Sequence, residues 1–384
     1  MRNIMQSRRW MVAALAAAAA AVVLGTGGTA YAAPVSGAGV AVTPITLSSD
    51  WSGNAGYGAD APGWYVDTSL EDPAVVHLQG AVTQASTAGQ SPNMIGTLPQ
   101  AARPDRSVYE LVHTFNGTYA DVEIDQFGNI YLIDPAPPAV QDFSFVSLEG
   151  ISYERSISAQ NVPIAVNTAN WSGSAGFDSV APSAWIDGSD NVHLAGAVTQ
   201  TTDEGGDPLV IGTLPPAFWP NFDVYVIAHT FDGTYVDLVI EPSGQIAVIG
   251  AKYPAVNDYR FVSLEGITFS PVGGDSTPIA LNTANYATTV SVFRPSADVD
   301  AWGVVHLFGA VRQVSATGAG VNTVGTVPAF ARPDRYVYEL IETFWGTYAD
   351  VVITPAGQIN LIGGRYPLTS SFGVVSLDGI SYQP

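Results

Sequence analysis

One phrase of sequence is written three times in this chain of 384 residues. Its first copy contains Val76-His77-Leu78, Ile95-Gly96-Thr97-Leu98-Pro99, Thr114-Phe115-Asn116-Gly117-Thr118-Tyr119 and Val146-Ser147-Leu148-Glu149-Gly150-Ile151-Ser152-Tyr153. The second contains Val192-His193-Leu194, Ile211-Gly212-Thr213-Leu214-Pro215, Thr230-Phe231-Asp232-Gly233-Thr234-Tyr235 and Val262-Ser263-Leu264-Glu265-Gly266-Ile267-Thr268-Phe269. The third contains Val305-His306-Leu307, Val324-Gly325-Thr326-Val327-Pro328, Thr343-Phe344-Trp345-Gly346-Thr347-Tyr348 and Val375-Ser376-Leu377-Asp378-Gly379-Ile380-Ser381-Tyr382. The period is roughly 115 residues, too long for a solenoid unit and about the size of one domain. The chain therefore reads as three homologous domains, at 44–153, 163–269 and 278–384.

Within a copy, short apolar runs alternate with polar residues between Gly and Pro punctuation, an all-β pattern. Val76, Leu78, Gly80 and Val82 fall on one face of a strand, with His77, Gln79 and Ala81 on the other. Tyr109–Phe115 and Thr118–Ile124 flank Asn116-Gly117, a turn pair suited to positive φ and hence to a two-residue hairpin. The acid-Gly step of the closing phrase predicts a bulge or bend. Six to eight short antiparallel strands per copy imply a β-sandwich, jelly-roll-like. The fold class is thus all-β, three tandem antiparallel sandwiches. Linkers of eight or nine residues reach about 30 Å when extended. They allow either a string of beads or a closed pseudo-threefold ring, in which one chain replaces a trimer.

The first 32 residues read as an export signal. Arg2, Arg8 and Arg9 precede an Ala-rich apolar run from Met11 to Leu24, and Ala30-Tyr31-Ala32 offers a small-residue cleavage site. The run is short for a membrane span. Ser7-Arg8-Arg9-Trp10 leaves twin-arginine and ordinary secretory export both open, with the ordinary route favoured. A linker at 33–43 follows. A secreted protein without a membrane anchor is expected. The 13 basic residues stand against 34 acidic ones, a balance that excludes nucleic acid as a partner. The chain has no cysteine, which removes thiol chemistry and Cys-ligated metals.

The ordered set of His-Leu-x-Gly, Gly-Thr-Leu-Pro, Arg-Pro, a Gly-containing hairpin and Val-Ser-Leu-Asp/Glu-Gly-Ile-Ser resembles the C-terminal head domains of bacteriophage tail fibres and related tail receptor-binding proteins. The resemblance covers nearly all of the mature chain. It implies a β-sandwich head that contacts a cell-surface receptor, often a saccharide, and that usually works as a homotrimer. This chain departs from that pattern: it has an export signal, no fibrous shaft, and three heads in one polypeptide. Binding in such heads belongs to variable loops, so no binding residue carries over by motif.

Candidate sites follow from comparing the copies. His77, His193 and His306 share one position; His113 and His229 share another, where copy three has Glu342. No third metal ligand is evident, and neither a metal nor another cofactor is expected. Asp121, Asp237 and Asp350 recur, as do Glu149, Glu265 and Asp378. Recurrence in all copies favours a role in the fold, such as accepting backbone donors, over catalysis. No catalytic residue is therefore assigned, although a carboxylate pair across a sugar cleft would suit a glycosidase. The matched pairs Trp51/Trp171 and Trp64/Trp185 read as packing residues. Residues that differ between copies are the candidates for ligand or interface contacts. Trp345 stands at a hairpin tip in place of Asn116 and Asp232, Trp219 replaces Arg103 and Arg332, and Glu342 replaces histidine. The reading reached is a non-enzymatic binding protein for a glycan or another extracellular component. A purely structural protein and a secreted hydrolase are the alternatives.

Overall fold

The computed structural model describes residues 40–384, except 54, 68–73, 86–92, 116–117, 134–142, 174, 203–208, 232–233, 251–258, 273–275, 290–291, 316–321, 344–346 and 364–372. Copy one has the strands β1 (Thr43–Pro44), β2 (Thr46–Leu47), β3 (Trp51–Ser52), β4 (Gly63–Asp67), β5 (Val75–Gln79), β6 (Ala81–Gln84), β7 (Asn93–Thr97), β8 (Val108–Thr114), β9 (Thr118–Ile124), β10 (Asn129–Ile133), β11 (Val146–Ser147) and β12 (Ser152–Glu154). They form a four-stranded sheet, β1-β4-β5-β12, and an eight-stranded sheet, β2-β7-β10-β9-β8-β11-β6-β3. The pairings between these strands are antiparallel. Copies two and three repeat both sheets in the same order. The chain is therefore three tandem β-sandwiches, as the alternation of residues implies.

The strands outnumber the six to eight expected, for a local reason. The run from Val76 to Val82 does not continue as one strand. It breaks at Gly80, whose φ of 80° is open to glycine. β5 belongs to the small sheet and β6 to the large one, so the chain changes sheets at this residue. Gly196 (φ 86°) and Gly309 (φ 82°) do the same in the other copies. A Cβ at Gly80 would meet Ala61 O at 2.5 Å. Glu149 Oε1 accepts the Gly80 N–H at 2.8 Å, as Glu265 does for Gly196 and Asp378 for Gly309. The recurrent acid of the closing phrase thus ties off the backbone at the sheet crossing.

Each sandwich has its own core. In copy one Ile45, Trp51, Val76, Leu78, Ile95, Val122, Ile130, Leu148 and Tyr153 pack between the sheets. The matching cores of copies two and three include Trp171 and Tyr286 at the Trp51 position. Trp64 and Trp185 are buried too. The β8–β9 hairpin forms one residue away from the two-residue register expected: Thr114, not Phe115, stands opposite Thr118, their hydroxyls 2.6 Å apart, because the Phe115 N–H donates to Phe145 O at 3.1 Å instead.

The three sandwiches close on one another. Tyr119, Tyr235 and Tyr348, one from each copy, meet edge to face with centroids 5.2, 5.2 and 5.3 Å apart. Leu111, Ile227 and Leu340 pack around them. Each copy thus touches both others, the closed ring rather than the string of beads. Offset and edge-on aromatic contacts suit the quadrupole of the ring, and three mutual T-shaped pairs satisfy every ring at once.

Candidate functional site

Two places gather functional side chains: the seams around the pseudo-threefold axis, and one end of each sandwich.

The seams are built by β8, β9 and their counterparts. Leu111, His113, Tyr119 and Asp121 follow from the alternation of the hairpin, since Leu111 pairs with Asp121 and His113 with Tyr119 across the strands. At the seam between copies one and two, His229 Nδ1 stands 3.0 Å from Asp121 Oδ1. At the seam between three and one, His113 Nδ1 stands 3.0 Å from Asp350 Oδ1. The rings of His113 and His229 stack on Tyr338 and Tyr109 of the neighbouring copy.

A second charge pair lies beside each of these. Arg106 donates from Nε to Glu265 Oε1 at 2.7 Å and from Nη2 to Oε2 at 2.8 Å. Its Nη1 reaches the carbonyl of Glu154 in its own copy at 3.0 Å. Arg335 does the same to Glu149, at 2.9 and 3.0 Å, and to Gln383 O at 3.1 Å. Burial favours the neutral form of both guanidiniums, but the facing carboxylate outweighs it and raises their pKa further. This bidentate geometry is open to arginine and not to lysine.

Between copies two and three both pairs change. Phe222 stands where the others have Arg106 and Arg335, and packs on Phe293 of copy three at 5.3 Å. Glu342 stands where the others have histidine, and it faces Asp237 and Asp378. Glu342 is buried, and both its carboxyl oxygens lack a hydrogen-bond partner among the described residues. Burial first, then those two neighbouring carboxylates, pushes its pKa well above the usual range. Asp378 is pushed up to about 6 by burial, against backbone donors from Gly309 and Tyr225 and the Ser376 hydroxyl.

The seams meet in a cavity of about 80 Å³, lined by Glu110, Glu149, Glu265, Glu339, Glu342 and Asp378 among others. That is room for several waters. Burial raises Glu110 and Glu339 well above the usual carboxylate range, helped by the adjacent Glu265 and Glu149 respectively. Burial thus favours the neutral form of these two carboxyls, which costs less to bury than the ion. No group of three His, Cys, Asp or Glu side chains suited to a metal occurs among the described residues.

The histidines of the small sheets have a local setting. His77 stacks on Tyr65 at 4.8 Å, and His193 stacks on Trp185 at 4.3 Å. Their Nε2 atoms lie 3.6 Å from Asp67 and 3.0 Å from Asp187. His306 lies 3.2 Å from Asp300. Burial would raise Asp187, but the hydrogen bond and charge of His193 outweigh it and hold its pKa low. His306 is raised: burial opposes its charge, and the hydrogen bond and charge of Asp300 win. All three residues serve as polar struts beneath a buried face.

The end of each sandwich carries the other candidates. Arg103 Nε donates to Leu98 O at 3.1 Å and its stem lies over Gly128; Arg332 lies over Gly357 in the same way. Trp219 fills this position in copy two. Its indole N–H donates to Leu214 O at 2.8 Å, and its half-buried ring covers Gly244. A missing Cβ at Gly244 makes a slot, and the ring fills it. Trp345 lies outside the described residues. Glu342 lies buried at the seam between copies two and three.

This end also carries exposed aromatics that differ by copy. Phe127, 63% exposed, sits in the turn before Gly128, where the other copies have Ser243 and Ala356. Phe330, 44% exposed, sits in the turn before Arg332, where the others have Ala101 and Ala217. The two turns are neighbours within a sandwich: Leu98 N donates to Gly128 O at 2.7 Å, and Val327 N to Gly357 O at 2.9 Å.

Arg106 and Arg335 escaped the sequence reading, although a signal was there. Arginine occurs in copies one and three, and glutamate in the closing phrase of copies one and two. Copy two has Phe222 and copy three has Asp378. The pattern matches only if the residue of each copy meets the acid of the next. That offset is the order of the ring.

Comparison with protein-family models, curated proteins and solved structures finds no match to this chain. Fold and geometry therefore carry the functional argument.

Proposed function

We propose that this chain is an exported, non-enzymatic binding protein whose three sandwich heads recognise a glycan or another extracellular component through their end loops. The observation that carries the reading is the division of labour between repeated and unrepeated residues. Repeated acids and histidines turn inward and serve the sheet crossings and seams. Copy-specific aromatics turn outward at one end: Phe127 in copy one and Phe330 in copy three, each beside a guanidinium. An exposed aromatic face with an adjacent donor suits a sugar ring, which offers an apolar face and a hydroxyl rim. The closed ring also supports the resemblance to trimeric tail-fibre heads, with one chain doing the work of three.

The hydrolase alternative needs carboxylates around a cleft that admits a sugar. The cavity that gathers carboxylates here has room for several waters, and Glu149 and Glu265 are each held by an arginine and a backbone N–H. The test is a glycan array with the mature chain and with the double variant Phe127→Ala/Phe330→Ala. Binding by the parent that is lost in the variant, with an unchanged melting profile, supports the proposal. Equal binding by both refutes the assignment of the site. No saccharide bound, with self-association at modest concentration, favours an assembly protein instead.

A further inference from the structure

The three seams are homologous, yet one has lost its arginine. The seam between copies one and two sets Arg106 and His229 against Glu265 and Asp121. The seam between three and one sets Arg335 and His113 against Glu149 and Asp350. At the seam between two and three the corresponding residues are Phe222 and Glu342, against Asp378 and Asp237. One substitution removes a guanidinium, and the other puts a carboxyl in place of an imidazole.

The elements packed here are Val224–Thr230 and Thr234–Ile240 of copy two, and Val337–Thr343, Thr347–Ile353 and the turn at Asp378 of copy three. Their ionisable groups are Tyr225, His229, Tyr235 and Asp237 from copy two, and Tyr338, Glu339, Glu342, Tyr348, Asp350 and Asp378 from copy three, with Asp223 and the exposed Arg294 beside the Phe222–Phe293 contact. No Lys or Arg lies on the paired strands themselves. His229 turns to Asp121 and Asp350 to His113, at the other two seams. Tyr225 lies near enough to sense Glu342, and its backbone N–H supports Asp378. Glu342 is buried to 1% exposure and lines the central cavity.

Glu342 has no hydrogen-bond partner for either carboxyl oxygen among the described residues and shares the cavity wall with Asp378, so at low dielectric it cannot ionise there unless a proton or a cation enters. The described residues include no side-chain cluster suited to a metal. We propose that a proton holds this seam: Glu342 closes it against Asp378 while it keeps that proton, and the seam loosens as the solution turns alkaline. The other two seams, with arginine at their centre, keep their charge pairing across the same range. The ring therefore has one gate and two fixed joints.

The direction follows from linkage. An acid whose pKa is higher in the folded chain keeps its proton there after the unfolded chain has released it. Stability is complete below the unfolded value and falls as pH rises towards the folded one. For Asp378 that window runs from its ordinary 3.8 to about 6, and for Glu342 it extends upward from 4.5.

The experiment is urea unfolding of the mature chain from pH 5 to 8, alongside Glu342→Gln and Glu342→His. The expected result is a first-transition equilibrium constant that falls relative to Glu342→Gln by about tenfold per pH unit, the slope of one proton. Glu342→His, which restores the residue of the other seams, should also remove the slope. If neither variant folds, the chain carrying Glu110→Gln and Glu339→Gln decides, because those two raised carboxyls would otherwise give the same signals. Its stability should drop over this range, and its infrared spectrum at pH 7 should show the carbonyl stretch of a protonated buried carboxyl. A flat pH profile in the parent, or an unchanged slope in Glu342→Gln, overturns the proposal. So does Ca²⁺ stabilising the parent but not Glu342→Gln at pH 8, because the compensating charge would then be a metal.

Discussion

Replacing Arg335 with Met tests whether the seams hold the ring together. The guanidinium and the Glu149 carboxylate are 4% and 2% exposed, joined by two charged hydrogen bonds at 2.9 and 3.0 Å. Met keeps much of the side-chain volume and removes the charge. Glu149 then retains the Gly80 N–H but loses its counter-ion, next to the buried Glu339. Breaking a buried pair from one side costs about 3–5 kcal/mol, against at most about 1 for an exposed pair. The double variant Arg335→Met/Glu149→Gln removes the stranded charge and leaves an acceptor for Gly80. It should be more stable than the single variant, with a coupling energy of about 2–3 kcal/mol. Urea unfolding of the four members of the cycle, at pH 7 and two salt concentrations, measures it. Small-angle scattering of each variant in buffer reports whether the ring has opened. A loss below about 1 kcal/mol for Arg335→Met, or one that high salt abolishes, would show a screened surface pair and refute the reasoning.

Two further outcomes are expected. Tyr119→Leu should cost about 1–3 kcal/mol beyond any change in buried area, two aromatic pairs at about 0.5–1.5 each; Tyr235→Leu and Tyr348→Leu should match it in urea melts, because each ring makes the same two contacts. Gly80→Ala should cost clearly more than Gly56→Ala. Both have positive φ and share a penalty of roughly 1–2 kcal/mol, but only at Gly80 would the new Cβ strike backbone oxygens; thermal melts of the two proteins check this.

Much of one sandwich was legible in the sequence, because its signals are local. Asn116-Gly117 between two alternating runs marks a hairpin without help from the rest of the chain, but the register is one residue off, where Phe115 turns to the distant Phe145 carbonyl. The recurrence of Glu149, Glu265 and Asp378 marked them as servants of the fold, and each now ties off a sheet crossing. The crossing itself was missed, since a strand that changes sheets at Gly80 keeps its alternation across the break. The setting of Trp219 could not be read either, because the slot it fills is defined by Gly244, a residue on another turn. The seams depend on contacts such as Arg106 to Glu265, which lie 159 residues apart. No window along the chain contains them; only the offset comparison of copies does.

Arg335 reaches Glu149 across 186 residues of chain. The first sandwich is made before the group that neutralises its buried acid exists. A product that stops after copy two would lack Arg335, Asp350 and Tyr348 together. Glu149, His113 and Tyr119 would then all stand at an open face, one of them a carboxylate with no cation. Such fragments should be poorly stable and readily removed by proteases. Closure of the last seam thus needs the third copy, and electrostatics registers its presence.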